Sequence, residues 1–176
     1  SKVPVYFIDQ AAYFDRDGYY GDASGDYADN GDRFVFFARA ALAAARSLGF
    51  KPDVVHLNDW HSGLVPVILR TELLDDPFFA HTGTLFTIHN LAFQGLFPDW
   101  QHGRTGLDWG LFNTEGLEFY GQLNIMKGAL LFSDLVNTVS PRYAEEIRSQ
   151  EFGCGLEGVL RGRAGDLSGI INGLDY

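Results

Sequence analysis

Only one cysteine, Cys154, occurs in 176 residues. That excludes an internal disulfide framework and a CxxC-type zinc site, and the expectation is a reducing compartment. Basic residues are also scarce. Thirteen Lys and Arg stand against 23 Asp and Glu, for a formal net charge of −10. This balance is wrong for a protein whose main work is gripping nucleic acid or anionic lipid. It favours neutral or cationic partners, and sugars are neutral. The few Lys and Arg never cluster on a strand-end loop, so a phosphate group would lack its cationic partner within this chain. No apolar run reaches membrane-spanning length; the best candidate, Phe34 to Ala45, is interrupted by Arg39. The opening Ser1-Lys2-Val3-Pro4 has no signal-peptide hydrophobic region and no initiator Met. The expectation is a piece of a longer protein. Phosphate-loop, GxSxG and HExxH motifs are all missing, as are internal repeats, linkers and low-complexity tracts.

What is present is a core. Hydrophobic residues make up 46% of the chain and aromatic ones 15%, enough for one domain that buries roughly 70% of its unfolded surface. Val3 to Asp9 reads as a buried strand. Residues 10 to 33 are acidic and glycine-bearing and read as a long loop. Asp29 or Asn30 can cap a helix whose Phe34, Phe37, Ala38, Ala41, Leu42, Ala45 and Leu48 recur at helical spacing until Gly49 ends it. Val54 to Leu57 is a second strand. A helix over Leu64 to Leu73 follows, with Pro66 in its first turn. Thr84 to Ile88 is a third strand. His89 to Tyr120 is rich in glycine and aromatics, with one helical turn expected near Leu107 to Asn113. Ile125 to Phe132 reads as helix and Leu135 to Val139 as strand. Ser140-Pro141 starts a helix with Ser as cap and Pro at the first helical position. A short helix over Leu156 to Arg161 and a fifth strand at Ile170-Ile171 close the series.

This alternation predicts α/β architecture: a Rossmann-like three-layer αβα unit with a mainly parallel sheet covered on both faces. Ligands of such sheets bind beyond the carboxyl ends of the strands. The residues there are Asp9-Gln10, Asn58-Asp59-Trp60-His61, His89-Asn90, Ser140 and Asn172-Gly173. A carboxylate beside an indole suits a sugar, since Asp59 can accept hydroxyl hydrogens while Trp60 stacks on the apolar ring face. The plainer alternative has Asp59 capping the next helix and Trp60 filling a gap. A metal alternative uses His56, Asp59 and His61 as a two-His-one-carboxylate set. His89, at a strand terminus, can donate to a substrate hydroxyl or instead satisfy loop backbone. Gly153-Cys154-Gly155-Leu156-Glu157-Gly158 matches the GxGxxG dinucleotide pattern, with Asp175 further on, but follows a helix rather than a strand. Asp15-Arg16-Asp17-Gly18 runs out of ligands for an EF-hand. Cys154 has no nearby His and reads as inert.

Seven motifs in order carry a family resemblance. They are Tyr20-Gly21 to Asn30 with Arg33-Phe34; Pro52 to His61; Thr87-Ile88-His89-Asn90-Leu91-Ala92-Phe93-Gln94-Gly95; Asn124-Ile125-Met126-Lys127-Gly128; Thr138 to Ile147; Gly153 to Gly158; and Gly169-Ile170-Ile171-Asn172-Gly173-Leu174-Asp175. In these the whole chain resembles bacterial glycogen synthase and plant starch synthase. The resemblance implies a retaining glycosyltransferase of the two-Rossmann-domain (GT-B) type. Such enzymes move glucose from ADP-glucose or UDP-glucose to the non-reducing end of an α-1,4-glucan, with no metal or other cofactor. It implies His89 against the donor glucose near the reacting carbon, with Asn90 beside it and Asn172 also on the glucose. Asp59, Trp60 and Tyr27 would line the acceptor side, with His61 supporting Asp59. The work implied is positioning and charge placement around an oxocarbenium-like transition state.

The chain also departs from that family. The Lys-x-Gly-Gly-Leu loop that contacts donor phosphates is missing, as is the second domain with its Glu-x7-Glu motif, and Arg16-Asp17-Gly18 stands where Arg-Pro-Gly is common. Residues 1–176 are therefore expected to be a partial N-terminal domain, inactive alone, acting in the cytoplasm or, in a plant, a plastid. Its partners would be the nucleotide sugar and the glucan. An uncovered sheet edge or apolar face would promote self-association. A non-catalytic glucan-binding module and a metal-dependent hydrolase using His56, Asp59 and His61 are the other readings.

Overall fold

A computed structural model describes residues 3–173. After an extended start come α1 (Ala11–Phe14) and a hairpin of β1 (Gly21–Asp22) and β2 (Gly25–Asp26). α2 (Asn30–Ser47) leads to β3 (Val54–Asn58), a single 3-10 turn over Trp60–Ser62, α3 (Leu64–Arg70) and β4 (Gly83–Ile88). Then follow β5 (Leu96–Pro98), α4 (Trp100–Thr105), a second 3-10 turn over Trp109–Leu111, β6 (Glu118–Phe119) and β7 (Gln122–Asn124). α5 (Ile125–Phe132), β8 (Leu135–Thr138), α6 (Pro141–Glu146), α7 (Glu157–Gly162) and β9 (Leu167–Gly169) complete it.

β3, β4, β8 and β9 form one parallel sheet in that order. Each crossover steps the same way across it, and right-handed crossovers then put their helices on one common face. Burial agrees. Leu57, Phe86, Ile88, Val136 and Thr138 share a face by register and are all buried. The residues that alternate with them face the other way. There Val54 is 60% exposed and Leu135 54%, and His56 and Asn58 are exposed too. Thr87 and Asn137 remain buried on that face, Thr87 Oγ1 donating to Asn137 Oδ1 and meeting His56 Nε2 at 2.7 Å. The α/β, Rossmann-like class holds, but among the described residues helices cover one face of the sheet rather than two.

Local chemistry explains the helices. α2 buries Val35, Ala38 and Leu42 on one stripe, and Gly49 ends it at φ +66, which glycine adopts without a Cβ clash. α5 is apolar almost all round because it packs on α3, α7 and the 3-10 turn over Trp60–Ser62; Gly128 would place a Cβ 3.2 Å from Val67. Ser140 Oγ accepts from Tyr143 N at 3.0 Å with Pro141 in the first turn, as the sequence predicts.

Four expectations need correction. Val3 to Asp9 is not a buried strand: nothing among the described residues pairs with it, and Phe7 is 91% exposed. The 10–33 stretch is not a plain loop, since it contains α1 and the β1–β2 hairpin. The fifth strand is Leu167–Gly169, not Ile170-Ile171; the ladder stops where the neighbouring β8 stops, and Ile171 is exposed. The parallel sheet accordingly has four strands among the described residues rather than about five. Residues 89–120 hold α4 and, with Gln122–Asn124, a three-stranded antiparallel sheet ordered β5-β7-β6. Leu174 and Asp175 lie outside the described residues.

Candidate active site at the carboxyl edge of the sheet

β3 and β4 lie side by side in register Asn58↔Thr87, so the residues just past them meet. Asp59 N donates to Thr87 O at 3.0 Å, extending the pairing one step. The backbone then turns sharply at Asp59, which sits at φ 53 and ψ 179. That turn aims the carboxylate across to β4, where Asp59 Oδ1 accepts from His89 N at 2.8 Å. Asn58 Oδ1 is 2.9 Å from His89 Nε2. An amide oxygen only accepts, so in this contact Nε2 is the donor. Ser62 Oγ accepts from Asn58 N and donates to Asn58 O, which fixes the residue that holds the ring. Asp59 makes no cap bond to the following turn; its carboxylate ties two strand ends together instead. His89 and Asn90 are exposed, and Asn90 Oδ1 accepts from Ala92 N at 3.0 Å, shaping the loop after β4.

Behind this rim lies an aromatic stack. His61 is half-buried, parallel to Tyr20 at 4.6 Å, 4.1 Å from Trp60 and edge-on to Phe34 at 4.7 Å. Burial pushes its imidazole down to about 4, against the pull of Asp59 and with the help of Arg33. It is therefore neutral near pH 7. Trp60 is buried, enclosed by Phe34, Phe97 and Gly95, whose added Cβ would lie 2.4 Å from the indole. An open stacking face on Trp60 is thus corrected to a packing role: the glycine at 95 brings backbone flush onto the ring. Tyr27 is half-buried, its hydroxyl accepting from Gly18 N at 3.2 Å, with the Arg16 guanidinium 4.7 Å above its ring.

Asn58, Tyr20 and Arg33 are named in the sequence reading by position or motif but given no role there. Arg33 is buried and donates to Tyr13 O, Tyr19 O and Asn30 Oδ1, gathering the acidic loop against α2. An Arg inside an otherwise apolar helix stripe was the signal for it; Tyr20 and Asn58 gave none beyond position. Asp29 occupies the cap position of α2 but spends its carboxylate on Arg16, at 2.8 and 2.6 Å, which holds it below the usual carboxylate range.

The remaining candidates sit apart. Asn172 follows β9, two strands away from β4, and is exposed. His56 points to the open sheet face and bonds Thr87, while His61 is wrapped in aromatics, so the two-His-one-carboxylate set does not assemble; among the described residues no three metal-type side chains converge. The Gly153–Gly158 run joins α6 to α7 and is not a strand-to-helix turn. Cys154 is free and exposed.

Fold and site together define a Rossmann-like α/β unit whose polar groups gather where adjacent parallel strands end. The chain belongs to the starch synthase catalytic domain family, whose model matches residues 1–162. It is 56% identical over 173 residues to Glycogen synthase 2 of Geobacter sulfurreducens, covering 98% of this chain and 36% of that protein. With the glycogen synthase of Rhodopirellula baltica it shares 49% identity over 175 residues, covering 99% of this chain and 34% of the relative. Among solved structures it resembles the catalytic domain of starch synthase IV from Arabidopsis thaliana bound to ADP and acarbose. That match has a TM-score of 0.80 at 34% identity and covers 86% of this chain and 31% of the other. The chain thus spans about a third of the length of these relatives. None of its described helices is long and apolar enough to cross a membrane.

Proposed function

We propose that this chain is part of the N-terminal domain of a retaining glucosyltransferase. The enzyme moves glucose from ADP-glucose or UDP-glucose to the non-reducing end of an α-1,4-glucan, in the cytoplasm or a plastid. The observation that carries the reading is the double tie on His89, whose backbone amide is held by Asp59 and whose ring by Asn58. Glycosyl transfer through an oxocarbenium-like state needs fixed dipoles around the anomeric carbon and no solvent reorganisation. A His held at two points, beyond a strand end, supplies such a dipole. In this reading His89 and Asn90 face the donor glucose, with Asn172 also on it. Asp59 orders that loop and, with Tyr27, borders the acceptor side. His61 and Trp60 hold Asp59 in place from behind. The diphosphate would be held by parts of the protein beyond this chain, a reading supported by the scarcity of basic residues at the strand tips.

The test is glucose incorporation into glycogen from ADP-glucose and from UDP-glucose by the full-length protein. His89→Ala lowers turnover by about 10²-fold or more with the melting temperature unchanged. Wild-type rates in that variant, or a wild-type protein that transfers no glucose, would overturn the proposal. Residues 1–176 alone are expected to give no turnover.

A further inference from the structure

The loop after β4 carries His89 and Asn90 and runs on to Gly95. Its start is tied by Asp59 through His89 N, and Tyr143 of α6 holds its middle, the hydroxyl accepting from Leu91 N at 3.1 Å. Its end is held by the side chain of Gln94. Gln94 is buried, where Leu or Met would fill the space at a lower desolvation cost. A buried amide bonded at both ends instead fixes one arrangement of the groups it joins.

The bonds at Gln94 run one way. Lys127 N, in the first turn of α5, donates to Asn124 Oδ1 at 2.9 Å. A backbone N–H only donates, so the other end of the Asn124 amide is its NH2 group, which donates to Gln94 Oε1 at 2.6 Å. The Gln94 NH2 group is then left to face Cys154 O, to which it donates at 3.0 Å. Main-chain bonds run alongside: Met126 N donates to Gln94 O and Ile125 N to Gly95 O.

Helix α5, the β4 loop and the turn at Gly153–Gly155 thus meet on one amide. Among the described residues, the contact of Gln94 with Cys154 O is the one hydrogen bond between that turn and the β4 loop. The turn is firm enough to anchor it. Leu156 N closes the turn onto Gly153 O at 2.8 Å, and Phe119 lies where a side chain on Gly155 would be.

We propose that Gln94 is a positioning residue for glucose transfer. It pins the far end of the His89–Asn90 loop to α5 and to the Cys154 turn, and so sets where those two side chains stand against the sugar. The inference rests on the glucosyltransferase reading for the reaction. Gln94 touches no reacting atom in it and acts through the loop. A displacement of about 1 Å in such a loop costs about 10²-fold in rate.

The experiment measures kcat and KM for glucose transfer to glycogen by the full-length protein, from whichever of ADP-glucose and UDP-glucose the wild type uses, with a thermal melt of each variant. Gln94→Met keeps the volume and removes both bonds. Its kcat falls about 10- to 100-fold while KM stays within about twofold. Gln94→Glu keeps the shape and the acceptor for Asn124, but turns an ionised oxygen on Cys154 O. No charged side chain among the described residues bonds this amide, and burial raises a carboxyl pKa. Once protonated, that oxygen donates to Cys154 O as the amide does. The rate of Gln94→Glu relative to wild type therefore rises as pH falls from about 9 to about 6, while that of Gln94→Met relative to wild type stays flat. A wild-type kcat in Gln94→Met overturns the inference. So does a Gln94→Glu rate in constant proportion to wild type across that range, or a loss of rate in both variants matched by a loss of folded protein. Each of these leaves transfer by the wild type, and with it the enzymatic reading, standing. A wild-type protein that transfers no glucose overturns that reading and the inference together.

Discussion

Asp59 combines a backbone that L-residues rarely adopt with a side chain that crosses to the next strand. Strain of this kind costs of order 1–3 kcal/mol and persists where the surroundings hold it. The two contributions separate by substitution. Asp59→Ala loses the carboxylate and keeps the strain. Asp59→Gly loses the carboxylate and relieves it. Asp59→Gly is therefore expected to be about 1 kcal/mol more stable than Asp59→Ala, with both losing the clamp on His89 and most activity. Equal denaturant midpoints for the two variants would show that the turn is unstrained. His61 makes a second case. Its folded-state pKa, about 4, lies below the unfolded value of 6.5. Between those values the unfolded chain takes up a proton that the folded chain refuses, so stability falls as pH drops from 6.5 to 4 and is flat above. Asp29 and Asp134, held below the usual carboxylate range, lose their contributions only at still lower pH. His61→Phe, which keeps a ring against Tyr20, should flatten the slope between pH 6.5 and 4 in urea titrations. An unchanged slope would place the proton elsewhere.

At the scale of elements, the loop after β4 is held by packing as much as by hydrogen bonds. Gly95 sits at φ +64 with the buried Trp60 ring where its side chain would be. Gly95→Ala must push the indole into Phe34 and Phe97, and overpacking of this kind costs about 1–3 kcal/mol, to which the positive φ adds. Gly158→Ala is the control. It lies in α7 with nothing near the added methyl, so it should be neutral or stabilise by a few tenths of a kcal/mol up to about 1. Thermal melts of the pair check this, and similar losses in both would deny the close contact. The same contrast shows what the sequence can reveal. α2, α5, β3, β4 and β8 were legible because each has its own period and its own end signals, such as Gly49 and Ser140-Pro141. The β5-β7-β6 sheet was not, because strands of two or three residues are made by their partners and carry no period. Of the site, Asp59 and His89 could be found by their place after strands. The tie between them could not, since it depends on the register of β3 against β4. Trp60 was misread because an indole beside a carboxylate looks alike whether it faces solvent or Gly95.

At the scale of the whole molecule, the unbalanced sheet matters most. One face is packed, while the other shows Val54 at 60% and Leu135 at 54% exposure. β3 is an outer strand, with its far edge unpaired among the described residues. Val3, Val5, Tyr6 and Phe7 are all more than half exposed, and among the described residues no strand pairs with them. An open strand edge, an apolar face and an extended apolar segment each attract another chain, and a second copy offers all three in complementary form. The net charge of −10 opposes this, but over distances longer than about 10 Å it is screened at 0.1 M salt, whereas apolar contact is not. Residues 1–176 should therefore self-associate in a concentration-dependent way, more strongly as salt is raised. Sedimentation velocity at low and high salt reads this directly. Phe7→Asp together with Val54→Lys places charge on the segment and the sheet face without touching the packed side, and is expected to shift the distribution to monomer. A monomer at every concentration and salt would mean that the exposed face is tolerated in water. A dimer unmoved by the double substitution would place the contact on another surface, and Trp109, 56% exposed, is the next residue to test.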